Sequence, residues 1–224
     1  MDHFERFLTL LERGKFLEAA LQTIHYVSIA VLIGGLVGLA IGTLLVVTRK
    51  GGVLANRAVY GALNTLVNFM RPIPFVILIA VLQPLTRAVV GKGIGEAAFI
   101  FTLVFACAFG ISRLVEQSLL TVEPGSIEAA RAAGAGPWRI IFTVLIPEGL
   151  APLVLGYTFA VIAVVDMSAM AGLIGAGGLG TFAMKEGYQT FNQYITWGAL
   201  IIVIIIVQAI QIFGNLLARK IRRH

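Results

Sequence analysis

Residues 20–47 read ALQTIHYVSIAVLIGGLVGLAIGTLLVV, and no Asp, Glu, Lys or Arg interrupts them. A helix needs about 20 apolar residues to cross about 30 Å of hydrocarbon, so this run is long enough to span a bilayer. Working outward, four more stretches have the same character, giving predicted spans at 23–47, 72–90, 97–119, 151–174 and 194–217. The whole chain agrees with this reading. Its 224 residues are 58% hydrophobic and only 12% charged, and its mean hydropathy is +0.94. Water does not tolerate that much outward apolar surface, so the expected fold is an all-α integral membrane protein. The first run exceeds a signal-peptide core and follows charged helix-forming residues, so no cleaved leader is expected.

Charge placement orients the spans. Arg49, Lys50 and Arg57 follow the first, and Arg219, Lys220, Arg222 and Arg223 follow the last. Lys and Arg favour the cytoplasmic side. An odd number of spans puts both groups there, with the N-terminus outside and the C-terminus inside; an even number separates them. The stretch 56–70 lies between Arg57 and Arg71 and reads as an in-plane helix leading into the second span. Were it to cross, the count would be six. Residues 1–22 form an amphipathic leading segment, 23–218 the transmembrane domain, and 219–224 a basic cytoplasmic tail. The net charge of +6 is spent on this topology, which argues against nucleic acid as a partner. The lone Cys107 lies in an apolar run and reads as a small core residue.

Glycines 34, 38 and 42 recur every fourth position in the first span, with Ala30 one step earlier. They mark a face where another backbone can approach closely. Pro72 and Pro74 open the second span, where proline costs little. Trp197, Tyr188 and Tyr194 fall near the outer interface, where amphipathic rings anchor helices.

The most informative polar stretch is 123–147, EPGSIEAARAAGAGPWRIIFTVLIP. Pro124 and Gly125 end the third span, and Ser126 is the expected N-cap, with Glu128 in the first turn. An alanine-rich helix follows; Gly134 and Gly136 stop it and Pro137 bars its continuation. The residues alone permit either an ordinary surface helix or a helix that docks in a partner's groove.

Glu128-Ala129-Ala130, three further residues, Gly134, and Ile146-Pro147 at the family spacing resemble the EAA loop of ABC importer permeases. Val144 stands at the first hydrophobic position of that pattern, and Ile146 replaces its leucine. The stretches Arg71–Phe75, Thr86-Arg87, Arg113–Glu116, Ile146–Glu148, Ser168–Met170 and Gly175–Gly180 are similar to the methionine-importer permeases. The likeness covers residues 20–220. It implies the type I ABC importer permease fold of about five transmembrane helices, and a non-catalytic subunit that moves a small amino acid, methionine first, across the cell membrane. A permease for another amino acid or small ligand in the same class is the alternative. An ion-coupled secondary transporter is a more distant one, since only one midplane acid and no internal repeat are found. The resemblance implies that Glu128, Ala129, Ala130, Arg131 and Gly134 contact an ATPase subunit. It also implies partners: two ATP-binding subunits, a substrate-binding protein or lipoprotein, a second copy of this chain, and the lipid membrane. No cofactor or metal is expected in this chain, because ATP and Mg²⁺ would be held by the partner ATPase; a P-loop sequence is indeed missing here.

Two further features of the sequence bear on function. Gly175, Gly177 and Gly180 satisfy G-x-G-x-x-G, but they follow a span, and no acid stands about twenty positions later. A flexible turn at the outer face is expected; the resemblance puts it near the docking surface for a binding protein. Asp166 is the one acid deep in a predicted span. It either lines the translocation path, with Met167, Ser168 and Met170 as companions, or makes a polar contact between helices. For the two methionines, plain packing is the competing reading. His25 reads as an interfacial histidine with its needs met locally, and an intramembrane hydrolase is not supported by any spacing.

Overall fold

Hydrogen-bonding the backbone within each segment is the ordinary way to cross lipid, and the chain is helical accordingly. The computed structural model describes residues 2–222; Met1, Arg223 and His224 lie outside the described residues, so the last of the tail's basic positions is not placed. Among the described residues the main helices are α1 (His3–Glu12), α2 (Lys15–Thr48), α3 (Arg57–Met70), α4 (Phe75–Val81), α5 (Gln83–Val90), α6 (Glu96–Leu119), α7 (Pro124–Ala132), α8 (Pro137–Ile140), α9 (Leu150–Ile174), α10 (Leu179–Phe182) and α11 (Gln193–Arg222). Four of these, α2, α6, α9 and α11, are long and apolar enough to span a membrane. A fifth span is counted only if α3 and α4 form one broken crossing, with a sharp bend between them. α11 is the most outward-facing: 6% of its most apolar window is buried.

The helix that carries the first predicted span, 23–47, begins earlier, at Lys15, because Gly14 (φ 66°) absorbs the turn from α1. The second predicted span, 72–90, is interrupted at Leu82. Pro84 has no N–H to donate back to the preceding turn, so a new helix starts there with proline in its first turn. The two pieces, of 7 and 8 residues, rise about 10 and 12 Å, each well short of a crossing.

The chain divides into two compact units, and each long helix contributes one part to each. The first comprises Met1–Leu32, Pro74–Phe105 and Val161–Ile210. Here α1 is opened by a capping box in which Asp2 and Glu5 satisfy each other's end of the first turn. It is fixed by an Arg6–Glu186 ion pair at 2.7 Å and by Asn192 Nδ2 donating to the His3 carbonyl at 2.7 Å. Phe16, Ala19, Ala20, Leu179, Ile195 and Ala199 form its buried cluster, with Phe16 edge-on to Phe7 and Phe182.

The second unit comprises Ile33–Ile73, Ala106–Ala160 and Gln211–His224. Of the small-residue face expected from the spacing, Gly38 and Gly42 pack here, and Gly35 takes the third place instead of Gly34. A Cβ on Gly38 would stand 2.8 Å from the Ala108 carbonyl oxygen, and one on Gly42 would strike that of Ser112. Gly34 is buried but belongs to a π-helical turn, Ala30–Gly34, just before this contact. The Tyr157 hydroxyl donates to the Gly35 carbonyl at 2.7 Å directly after that turn.

α3 is capped by Asn56, whose Oδ1 accepts from Ala58 N and Val59 N at 3.1 Å each. Val67 is its one buried residue, so packing alone holds it weakly. A polar network makes up the difference. Arg113 on α6 donates to Glu116 and to Asn68, and to Asn64 Oδ1 at 3.1 Å. Arg113 and Glu116 are 17% and 6% exposed, so the charged pair is largely shielded, while Asn68 at the far end of the network is exposed.

Candidate functional site

The segment 120–149 shows how a short helix can be held at both ends while its surface stays free. α6 stops at Leu119, and a tight turn follows, closed by Thr121 N to Ser118 O and Val122 N to Leu119 O at 3.3 Å each. α7 then starts one turn earlier than the sequence reading placed it. Glu123 is its N-cap, without a side-chain bond, and Pro124 is the first helical residue. Ser126 is therefore not the cap, and Glu128 falls at the fifth helical position, past the reach of the dipole's first turn. Proline ends α6 less than it begins α7: its missing N–H is one the first turn does not need.

The far end matches expectation. Gly134 adopts φ +76°, its N–H donates to the Arg131 carbonyl at 2.9 Å, and Ala135 N donates to Ala130 O at 3.0 Å. This paired 5→2 and 6→1 closure is a Schellman motif, which calls for a residue tolerant of the left-handed region. Gly136 caps α8, and Pro137 opens it. The returning limb of the loop is clamped: a Cβ on Gly149 would stand 2.7 Å from Leu119 Cδ2, and Ser118 Oγ lies 3.2 Å from the Pro152 carbonyl. Both ends of the excursion therefore meet at the foot of α6.

No residue of α7 is buried. Glu128, Ala129, Arg131 and Gly134 are exposed and Ala130 is half-buried. Neither Glu128 nor Arg131 forms an ion pair with a described residue. Next to it, Trp138 and Phe142 stack at 6.3 Å and are 64% and 63% exposed. Of the five residues selected from the sequence, four are accessible; 128–131 are consecutive and wrap around the end of the helix, where Glu128 and Arg131, at i and i+3, lie on the same side.

The path candidates are less alike. Asp166 is exposed on α9, and Met170, one turn on, is half-buried. Met167 is half-buried too, whereas Ser168 is buried at 4% and its hydroxyl donates to the Val165 carbonyl at 2.6 Å. Ser168 is thus occupied by its own helix. An apolar groove of about 570 Å³ in the same unit runs between α2, α9 and α11, lined by Val161, Val165, Val27 and Ile206 among others, with Thr23 and Ser28 as its polar members. It offers no charge to a polar solute.

The glycine loop departs from expectation. In place of a flexible turn, residues 174–182 are tied down: Gly178 N donates to Gln22 Oε1 at 2.8 Å, Leu179 N to Thr23 Oγ1 at 2.9 Å, and Gly95 N to Ile174 O at 2.6 Å. A Cβ on Gly177 would collide with the Gln22 amide, and one on Gly180 with the Ala169 backbone. Gly177 and Gly180 allow contact, Gly175 is needed for its positive φ with open space around it, and Gly178 combines a positive φ with a close approach to Thr23. His25 Nε2 lies 3.5 Å from Glu96 Oε1, the local partner its position called for.

Sequence reading missed two sets of residues. Gln22 and Thr23 look like ordinary positions at the head of an apolar run; nothing in their spacing points to a loop more than 150 residues away. The Arg113 network did leave a trace, since Arg113 and Glu116 stand at i and i+3 and Asn64 and Asn68 at i and i+4 on their helices.

Residues 34–223 match the family described as binding-protein-dependent transport system inner membrane component. The chain is 37% identical over 211 residues to the probable D-methionine transport system permease protein MetI of Vibrio cholerae, covering 94% of each chain. It is 44% identical over 178 residues to the methionine import system permease protein MetP of Bacillus subtilis, covering 80% of each. Among solved structures it superposes on a chain of the MetNI methionine ABC transporter in an inward-facing conformation with a TM-score of 0.88 and 38% identity, over 92% of this chain and 95% of that one. An amino acid ABC transporter solved with histidines shares the fold, at a TM-score of 0.79 and 19% identity. On these grounds the chain is a multi-pass membrane protein that belongs to the family of binding-protein-dependent transport system inner membrane components.

Proposed function

We propose that this chain is the permease subunit of an ATP-driven importer whose substrate is methionine, and that α7 is its coupling helix. The observation that carries the mechanism is the state of α7: none of its residues is buried, yet it is anchored at both ends at the foot of α6. A helix held that way transmits displacement to the spans rather than absorbing it. Glu128, Ala129, Ala130, Arg131 and Gly134 supply the contact with an ATPase subunit. Small alanines let a groove wall approach closely, and the unpaired Glu128 and Arg131 fix register.

Two copies of the chain about a two-fold axis enclose the path, each bearing one ATPase subunit. Closure of the ATPase pair on ATP draws the two coupling helices together and rocks the spans between inward-open and outward-open states. ATP and Mg²⁺ belong to those subunits, and a substrate-binding protein delivers the solute from the other side. The N-terminus then lies outside and the basic end of α11 in the cytoplasm, in line with the preference of Lys and Arg. Residues 1–22 serve as the leading segment, 23–218 as the transmembrane domain, and 219–224 as the tail. Methionine is supported by the names of relatives that match nearly full length.

Reconstitution tests this reading. Proteoliposomes holding the chain with the ATPase and binding protein of its own system should accumulate radiolabelled methionine only when ATP is supplied on the ATPase side. Uptake that survives removal of the ATPase and collapses with the proton gradient would instead mark an ion-coupled transporter.

A further inference from the structure

Asp166 stands sixteen residues after Leu150 and eight before Ile174. The last six residues of α9 are 3₁₀, so the carboxylate lies about 24 Å from one end of the helix and about 15 Å from the other. A helix of that length exceeds the roughly 30 Å hydrocarbon layer, and even with all the excess at its nearer end Asp166 stays about 6 Å inside. At that depth it is exposed, and no described residue forms an ion pair or hydrogen bond with it. Its neighbours one and two turns away on the same face, Ile162, Met170 and Leu173, include no cation. The adjoining face, with Val161 and Val165, is already turned to the apolar groove.

Lipid does not accept an ionised, unpaired carboxylate, and such residues face water-filled cavities or partners. We propose that Asp166 lines the translocation path and receives the ammonium group of the amino acid being moved; this rests on the amino-acid importer reading above. Charge complementarity names the ligand class. A carboxylate without a competing cation attracts an ammonium, repels an anion, and leaves the thioethers of Met167 and Met170 nearby for an apolar side chain. In a two-fold pair each copy brings one such acid, so the path carries two. Asp166 is then a determinant of which solutes pass, after the binding protein has made its own selection.

The test uses the complete transporter in proteoliposomes, with methionine as the probe and saturating methionine-loaded binding protein. Asp166→Asn keeps size and removes charge; Asp166→Glu keeps charge. We expect D166N to cut methionine uptake about tenfold, the scale of one lost charge-assisted bond, and D166E to recover most of it. ATP hydrolysis stimulated by the loaded binding protein should stay within about twofold of wild type, because the coupling helix is untouched. D166N uptake within about twofold of wild type overturns the proposal. So does a parallel fall in uptake and stimulated hydrolysis, which would make Asp166 a contact between chains. Absence of uptake by the wild-type transporter overturns the importer reading itself, and is distinguishable from both.

Discussion

Gly134 and Gly180 both sit in connections rich in glycine, and they are glycine for opposite reasons. Gly134 ends α7 at φ +76° with open space around it; an added Cβ would meet nothing within 4 Å. Gly180 has no positive φ, but an added Cβ would run into the Ala169 backbone. One position needs a conformation and the other needs room. The first belongs to a loop whose helix has no buried residue, the second to a loop folded back onto its own unit. A motif match treats them alike, because a pattern of glycines records neither torsion nor neighbours.

Substitutions can break this contrast. On stability, the largest loss is expected for Gly180→Val, about 3 kcal/mol, because the obstacle is backbone and cannot step aside. Thermal unfolding in detergent should show it, and a normal melting temperature would mean that the 179–182 turn has room the contrast denies it. Gly177→Ala is expected to cost about 2 kcal/mol by displacing the Gln22 amide and its bond to Gly178 N–H. The obstacle there is a side chain, so Gln22→Ala in the same molecule should relieve the clash and leave only about 1 kcal/mol for the lost bond; additive costs in the double mutant would show the clash to be elsewhere. Gly134→Leu should cost the least, about 1 kcal/mol for a side chain in the left-handed region. Its signature is functional: methionine uptake should fall at least tenfold while the protein inserts and melts within about 4 °C of wild type. Wild-type uptake and stimulated hydrolysis in that variant would remove Gly134 from the coupling contact.

How far the sequence was readable follows the range of the forces involved. α2, α6, α9 and α11 were visible because a span is a local property of some 20 apolar residues in a row. The second span was misread as continuous: Gln83, Thr86 and Arg87 of its polar second half are averaged with the apolar run Phe75–Val81, and the single missing N–H of Pro84 does not register in an average. Gly134 was legible as a stop because the left-handed turn is a demand of the local chain. The cap was misplaced because Ser126 is the stronger capping residue, yet Pro124 fits the first helical position and moved the start forward. The pinning of Gly177 and Gly178 by Gln22 and Thr23 was out of reach, since it depends on packing between segments far apart in sequence. Asp166 was noticed from composition alone, but its exposure and lack of a partner needed coordinates.

α11 has a consequence of another kind. Its 30 residues make a rod about 45 Å long, while the layer it crosses is about 30 Å thick. Such a rod must lean or protrude, and a thicker host bilayer stands it more upright. Lipid composition is therefore a mechanical variable for this protein: transport assayed in short-chain and long-chain lipids samples different tilts of the same helix, and with them different heights for the Arg219, Lys220 and Arg222 charges at its end.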